Sequence, residues 1–355
     1  MLLARRLLAV LAVLLGLGAT TLPAAALPML LIDTQTYEVL YEEEAGQSWH
    51  PASLTKLMTA YVAFAAIRDG RIGLDTPITI SQHAWNQAPS KSGLEVDSAI
   101  TLRDALYILI VKSANDVAVA VAEAVSGSVP AFVDEMNRMA QAMGLTATHY
   151  ANPHGLHDAA QVTSARDLAV LTLYIQRDFQ QYMPMFDTGM VTLGKVKYET
   201  NNGLLQHFAG TNGMKTGYIC ASGLNIVATV ERQGRSLLAV VLGGSSARER
   251  NELTAELLLR GLSGATPGTG VSVLNLHNLG NEPVNMRPLI CGKDAKDYVA
   301  QREAAFPLGL DGQPSYLTDE IEGTTYAATD LGRIRNVPLP RPRPPYAPMA
   351  TAFAN

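Results

Sequence analysis

His50-Pro51-Ala52-Ser53-Leu54-Thr55-Lys56-Leu57-Met58-Thr59 is the stretch from which the rest of the chain can be read. From Leu54 to Ile67 the apolar residues Leu54, Leu57, Met58, Tyr61, Val62, Phe64 and Ala65 occupy most faces, which predicts a helix buried in a core. Ser53 then falls in the first turn of that helix, and Lys56, three residues on, shares its face one turn away. A serine hydroxyl is a weak nucleophile near neutral pH and needs a base within hydrogen-bond reach, which a neutral lysine amine at this spacing supplies. Burial and a second cation, Lys215, would both push the Lys56 pKa below its ordinary value of about 10.4. The positive end of the helix dipole at Ser53 favours negative charge developing on a substrate carbonyl oxygen.

Two further motifs follow in order, each occurring once: Ser113-Ala114-Asn115 and Lys215-Thr216-Gly217. Thr101, with Asp104 three residues on, reads as the N-cap of a helix ending near Val111, and a second helix runs from Asp116 to Val125 before Ser126-Gly127. Ser113 and Asn115 therefore sit between two helices. Phe132, Met136, Met139 and Met143 recur at helical spacing from Ala131, a stripe read as core filler. Another helix starts near Ser164 and covers Arg166 to Arg177.

Short β-prone segments open the chain at Met29 to Ile32 and Tyr37 to Tyr41, joined by the turn-forming Asp33-Thr34-Gln35-Thr36. Strands return at Met214 to Ile219, Gly223 to Val230 and Ser236 to Leu242, followed by a closing helix from Ala247 to Arg260. Strands at both ends with helices between them imply an α+β fold: an antiparallel sheet of about five strands built from both termini, with helices on both faces. No internal repeat is found.

The chain has 355 residues, 48% hydrophobic and 17% charged, enough for a proper core. Its net charge of −5 offers nothing to nucleic acid. Arg5 and Arg6, an apolar run from Leu7 to Leu17 and small residues at Ala24 and Ala26 have the layout of a secretory signal, so residues 1–26 are expected to be cleaved after Ala26. Read as an uncleaved anchor, the run falls well short of the roughly 20 residues that span a bilayer, and no other stretch reads as a membrane anchor. A periplasmic or secreted location follows. Cys220 and Cys291 fit an oxidising compartment, and the sequence leaves open whether they pair or stay separate buried thiols.

Eleven of the 19 prolines lie after Ser263, and the stretch Pro338-Leu339-Pro340-Arg341-Pro342-Arg343-Pro344-Pro345 reads as an extended, solvated tail. Residues 27–262 are thus expected to form the catalytic domain and 263–355 an extension, of which Val271 to Asp311 packs back on the domain.

The three motifs occur together, in this order, in penicillin-binding proteins and serine β-lactamases. Their surroundings sharpen the likeness: His50-Pro51-Ala52 and Met58-Thr59 around the nucleophile, Asp116 after Asn115, Asn152-Pro153-His154-Gly155-Leu156, and Gly213-Met214 before Lys215. From about Leu31 to Leu258 the chain resembles the low-molecular-mass penicillin-binding proteins of the D-alanyl-D-alanine carboxypeptidase family. The resemblance implies the β-lactamase/penicillin-binding transpeptidase-like fold and residue roles. Ser53 would be the nucleophile, Lys56 the general base and Ser113 the proton relay to the leaving D-alanine. Asn115 would hold the substrate amide, and Lys215 and Thr216 the terminal carboxylate, assisted by Arg250. The backbone N–H groups of Ser53 and Tyr218, the latter just after Gly217, would form the oxyanion hole. Implied partners are peptidoglycan stem peptides, with β-lactams as covalent inhibitors.

The departures concern the rims of the match. Relatives often carry histidine or phenylalanine where Tyr218 stands. Larger members continue into a second β-rich domain and a membrane-surface helix, and neither is read after Ser263. A class A β-lactamase would need a Glu-x-x-x-Asn loop to deacylate; Glu199 near Asn202 has the wrong spacing, so a β-lactam acyl-enzyme is expected to be long-lived. Other readings are an endopeptidase that cuts D-alanyl cross-links on the same site, and a non-catalytic wall-binding protein with the proline-rich tail as its partner segment. No His-Glu-x-x-His, Cys/His cluster, Gly-x-Ser-x-Gly elbow or phosphate loop is present, so neither metal nor cofactor is expected. His154 reads as part of a structural turn.

Overall fold

The structure, a computed structural model, describes residues 26–264 and 266–333. The N-terminal hairpin shows how local chemistry sets register. Asp33 Oδ1 accepts the backbone N–H groups of Gln35 (2.9 Å) and Thr36 (3.0 Å), so the chain turns on its own aspartate. Strand β1 (Met29–Asp33) therefore pairs with β2 (Val39–Glu43), two residues later than the spacing of apolar residues suggests, because Tyr37 lies in the turn at φ 62°.

Two small elements, β3 (Pro77–Thr79) and β4 (Ala99–Thr101), pair antiparallel, and β5 (Thr188–Leu193) and β6 (Val196–Glu199) form another hairpin. The long strands are β7 (Thr211–Ile219), β8 (Gly223–Arg232) and β9 (Arg235–Gly244). With the N-terminal hairpin they build a five-stranded antiparallel sheet of order β2-β1-β9-β8-β7, which is the sheet expected from the two ends of the sequence. β7 is one of its two edge strands.

Alternation along β9 assigns the two layers. Leu237, Ala239 and Val241 face one way and pack with Ala255, Leu257 and Leu258 of the helix Ala247–Leu262, while Leu238, Val240 and Leu242 face the main helical layer. That layer holds α1 (Thr55–Arg68), α2 (Leu102–Val111), α3 (Asn115–Ser126), α4 (Val129–Ala142) and α5 (Ala165–Asp178); α6 is Ala247–Leu262. Every residue of α1 from Thr55 to Ala66 is buried, as its all-round apolar pattern predicts.

Caps fix the helix starts. Thr101, Ser164 and Ser246 accept the N–H groups of Asp104, Asp167 and Glu249 at 3.0 to 3.1 Å, and Gly127 ends α3 in the left-handed region at φ 79°. α4 begins two residues earlier than the Met stripe suggests, because Pro130 is harmless in a first turn where its missing N–H is not needed.

The segment after α6 is fastened to the domain by partly buried polar contacts and a buried apolar anchor. Asn278 donates to Asp167 Oδ1 (2.9 Å) and accepts from Ser164 Oγ (2.7 Å), and Val273 is fully buried. Short helices α7 (Arg287–Cys291) and α8 (Ala295–Ala305) follow. Beyond Asp311, strand β10 (Thr324–Ala328) runs parallel to β5 in a second, three-stranded sheet, a pairing with no counterpart in the sequence reading. Tyr326 stacks on Tyr107 with ring centroids 3.6 Å apart and donates to Asp104 at 2.7 Å. The leader to Ala25 and the proline-rich stretch from Pro338 lie outside the described residues. Among the described residues no single helix is long and apolar enough to cross a membrane.

Candidate active site

Ser53 sits in a 3-10 turn, Ala52–Leu54, that leads into α1. Ala52 is left-handed at φ 48°, a conformation non-glycine residues adopt only where surroundings enforce it. Thr55 Oγ1 donates to the Ala52 carbonyl at 2.8 Å, and Asn225 Nδ2 donates to the carbonyls of His50 (3.1 Å) and Pro51 (3.3 Å). Two glycines close on the turn from opposite elements. A Cβ on Gly217 of β7 would lie 2.9 Å from the Ser53 nitrogen, and one on Gly155, itself at φ +89°, would overlap the Ala52 carbonyl. Both positions therefore require glycine, which brings the β7 backbone against the Ser53 N–H.

Lys56 is fully buried, and its Nζ stands 3.1 Å from Ser53 Oγ, 2.8 Å from Asn115 Oδ1 and 2.6 Å from the His154 carbonyl oxygen. Burial pushes its pKa well below the usual lysine range and the Lys215 charge adds to this, while Asp116 acts in the opposite sense. In the neutral amine the two carbonyl oxygens take both N–H groups. The remaining lone pair is then directed at Ser53, whose hydroxyl can donate to it.

Ser113, in the short link between α2 and α3, is left-handed at φ 61°. Its Oγ is buried and has no hydrogen-bond partner among the described residues. Asn115 opens α3 and spends its amide within the protein: the oxygen accepts from Lys56 and one N–H donates to Ala88 O at 2.9 Å, leaving one N–H for another acceptor.

Lys215 is buried and donates to the Thr216 carbonyl at 2.9 Å. Desolvation, then the charge of Arg250, lowers its pKa to about 7. Arg250, in the first turn of α6, is held by Asn251 Oδ1 (2.8 Å) and the Asn201 carbonyl (3.0 Å), and burial lowers its pKa to about 10. A cavity of about 380 Å³ has Ser53, Ser113 and Asn115 on one wall and Thr216, Tyr218 and Arg250 on the other. All three motifs thus meet at one cleft. It combines a nucleophile and base with the buried Arg250 guanidinium on its lining, while Lys215 lies buried behind that wall, its amine on the Thr216 carbonyl.

Cys220 and Cys291 are joined by a disulfide, with Cα atoms 5.7 Å apart, just beyond the cleft end of β7. The sequence reading gave His154 a turn role. Its ring fits that reading, because burial, then Lys56 and His83, lower its pKa to about 3 and its Nδ1 accepts the Leu156 N–H. What that reading missed is the residue's backbone carbonyl on Lys56. No group of three or more His, Cys, Asp or Glu among the described residues is arranged to hold a metal ion.

The fold is that of the penicillin-binding DD-peptidases, with a helix-borne serine facing the edge strand of an antiparallel sheet. Residues 18–246 match the D-alanyl-D-alanine carboxypeptidase family of peptidases, and the chain belongs to that family. It is 35% identical over 251 residues to the D-alanyl-D-alanine carboxypeptidase DacA of Haemophilus influenzae, across 69% of this chain and 64% of that one. It spans slightly under two thirds of the length of such curated relatives. The structure of penicillin binding protein 5 from Haemophilus influenzae superposes with a TM-score of 0.63 at 34% identity, over 69% of this chain and 73% of that one. Penicillin-Binding Protein D2 from Listeria monocytogenes in its cefotaxime-bound form gives 0.61 at 26% identity, over 66% and 96%.

Proposed function

We propose that this chain is an exported, periplasmic serine D-alanyl-D-alanine carboxypeptidase that removes the terminal D-alanine from peptidoglycan pentapeptides, and that β-lactams acylate it. The observation that carries the reading is the Lys56 amine, 3.1 Å from Ser53 Oγ with both remaining polar neighbours acting as acceptors. Residues 27–262 would be the catalytic unit, with the extension fastened to it and the leader removed on export.

β7 is an edge strand, so alternate backbone groups point away from β8 and are free to pair with an extended peptide. The substrate would lie along it with its terminal carboxylate at Lys215, Thr216 and Arg250. Its scissile carbonyl oxygen would face the N–H groups of Ser53 and Tyr218. Ser53 Oγ attacks that carbonyl as its proton passes to Lys56 Nζ, and the two N–H groups hold the oxyanion. The C–N bond breaks when the leaving amine receives a proton, which Ser113 Oγ relays from the lysine. Asn115 keeps the lysine lone pair on target and offers its free N–H to the substrate amide. Water then hydrolyses the ester on Ser53 and frees the tetrapeptide.

The test is to incubate the mature protein with monomeric pentapeptide and cross-linked dimeric muropeptides and to follow both by mass. Loss of one alanine from the monomer with dimers intact is expected. Conversion of dimers to monomers without loss of alanine would replace this reading by an endopeptidase.

A further inference from the structure

Tyr218 is half exposed on the wall of the cleft, yet its hydroxyl lies 3.3 Å from Cys291 Sγ and 3.9 Å from Cys220 Sγ. We propose that the Cys220–Cys291 disulfide is a clamp that holds the Tyr218 ring as a wall for the acyl part of the substrate, the residues that precede the D-alanyl-D-alanine pair. The inference rests on the carboxypeptidase reading, in which the terminal carboxylate sits at Lys215 and Thr216 and the scissile carbonyl at the Tyr218 N–H. Continued in that direction, the strand leads to Ile219 and Cys220, so the acyl part must pass the Tyr218 ring.

Both ends of the clamp are anchored. Cys220 belongs to the turn between β7 and β8, closed by the Ser222 N–H on the Ile219 carbonyl at 3.0 Å. Cys291 is the last residue of α7, and Met286 at its start is a buried plug. The Met286 N–H donates to Ala221 O at 2.9 Å, and its sulfur packs so closely on the β8 and β9 backbone that a Cβ on Gly223 or Gly243 would lie only 3.0 or 3.2 Å from it. Beyond α7, Arg302 of α8 pairs with the buried Glu249 of α6 at 2.6 Å. The sulfurs against the tyrosine thus sit on a braced support.

An exposed tyrosine on an edge strand would otherwise be ordered only when substrate arrives, at a penalty equivalent to roughly two- to tenfold in affinity. Held in place beforehand, the ring contributes that factor to binding and leaves the acyl-transfer step alone. It is a positioning effect, and it should appear in KM.

The experiment is a mutational cycle on the full mature chain, with D-alanine release from pentapeptide and penicillin acylation both measured. Tyr218→Ala and the Cys220→Ser/Cys291→Ser pair are each expected to raise KM about two- to tenfold, and the cysteine pair, which leaves the oxyanion hole untouched, to keep kcat within about twofold. The triple variant should be no worse than either, because both remove the same wall. Treating wild type with dithiothreitol should reproduce the cysteine variant without any substitution. Additive effects, or a cysteine variant that loses thermal stability while keeping the wild-type KM, would overturn the clamp. If wild type is acylated by penicillin but releases no D-alanine, the carboxypeptidase reading fails instead. The cycle is then read on the penicillin acylation rate, where additivity again overturns the clamp.

Discussion

Asn115 Oδ1 lies 2.8 Å from Lys56 Nζ, joining the second motif to the first across 59 residues of chain. With the His154 carbonyl at 2.6 Å it leaves the neutral amine one direction for its lone pair, toward Ser53. Lys56→Ala should therefore lower penicillin acylation and D-alanine release by about 10²- to 10⁴-fold, the usual range for a lost general base, in a protein that still folds. Asn115→Ala should also slow acylation, by a smaller factor, since the base remains and only its aim is lost. Stopped-flow acylation rates check both, and equal rates in Asn115→Ala and wild type would remove the asparagine from this role.

The two lysines predict a pH profile with a rising and a falling limb. Lys56 must lose its proton to act, and burial and Lys215 lower its pKa, so kcat/KM rises with pH as Lys56 deprotonates. In the proposed mechanism Lys215 keeps its proton to hold the substrate carboxylate, and its pKa is lowered to about 7, so the falling limb belongs to it. Lys215→Arg should move the falling limb to higher pH and leave the rising limb in place, because a guanidinium keeps its charge. A falling limb unchanged in that variant would exclude the assignment. For stability, the unfolded chain holds the Lys215 proton up to 10.5 and the folded chain only to about 7. This group therefore favours the fold increasingly as pH rises between those values.

Gly155 and Gly217 predict a failure of shape. A Cβ at either position meets the backbone of the Ser53 turn, and Gly155 is also left-handed. Gly155→Ala should destabilise the fold by about 3 kcal/mol, as a combined overlap and backbone strain. Gly217→Ala should chiefly slow acylation by pushing β7 away from Ser53. Chemical denaturation and acylation kinetics measure the two effects, and an unaltered denaturation midpoint in Gly155→Ala would contradict the packing argument.

Arg302 and Glu249 test the fastening of the extension. Glu249 is fully buried and also accepts the Ser245 N–H at 2.7 Å, whereas Arg302 remains partly exposed. Arg302→Ala should cost about 2 kcal/mol, below the range for breaking a buried pair, because that second hydrogen bond and the helix N-terminus still compensate the carboxylate. Denaturant titration would show the loss, and a shift within about 0.5 kcal/mol would mean that the pair is a surface contact only.

What the sequence made legible was local. The cap at Thr101, the helix start near Ser164, the strand from Ser236 to Leu242 and the apolar pattern of α1 each depend on neighbours within a turn or a strand. The six long helices, the five strands of the main sheet and the motif residues could therefore be placed without coordinates, whereas β3 to β6 and the short helices α7 and α8 were not read. What was not legible depends on distant backbone. β10 pairs with β5, yet Thr324–Ala328 carries no pattern of its own that names a partner. The His154 carbonyl on Lys56 has no residue identity at all, since any amino acid offers one. The Gly155 requirement depends on where Ala52 comes to lie. The cysteine pair was left open because only the fold decides whether two distant Cα atoms approach.

The most direct test of the account is to mix the mature protein with benzylpenicillin, digest it, and map the adduct by mass, alongside D-alanine release from pentapeptide by wild type and Ser53→Ala. The account predicts one penicilloyl group on Ser53, D-alanine from wild type, and neither adduct nor D-alanine from Ser53→Ala. An adduct on another residue, or D-alanine released by Ser53→Ala, would contradict it.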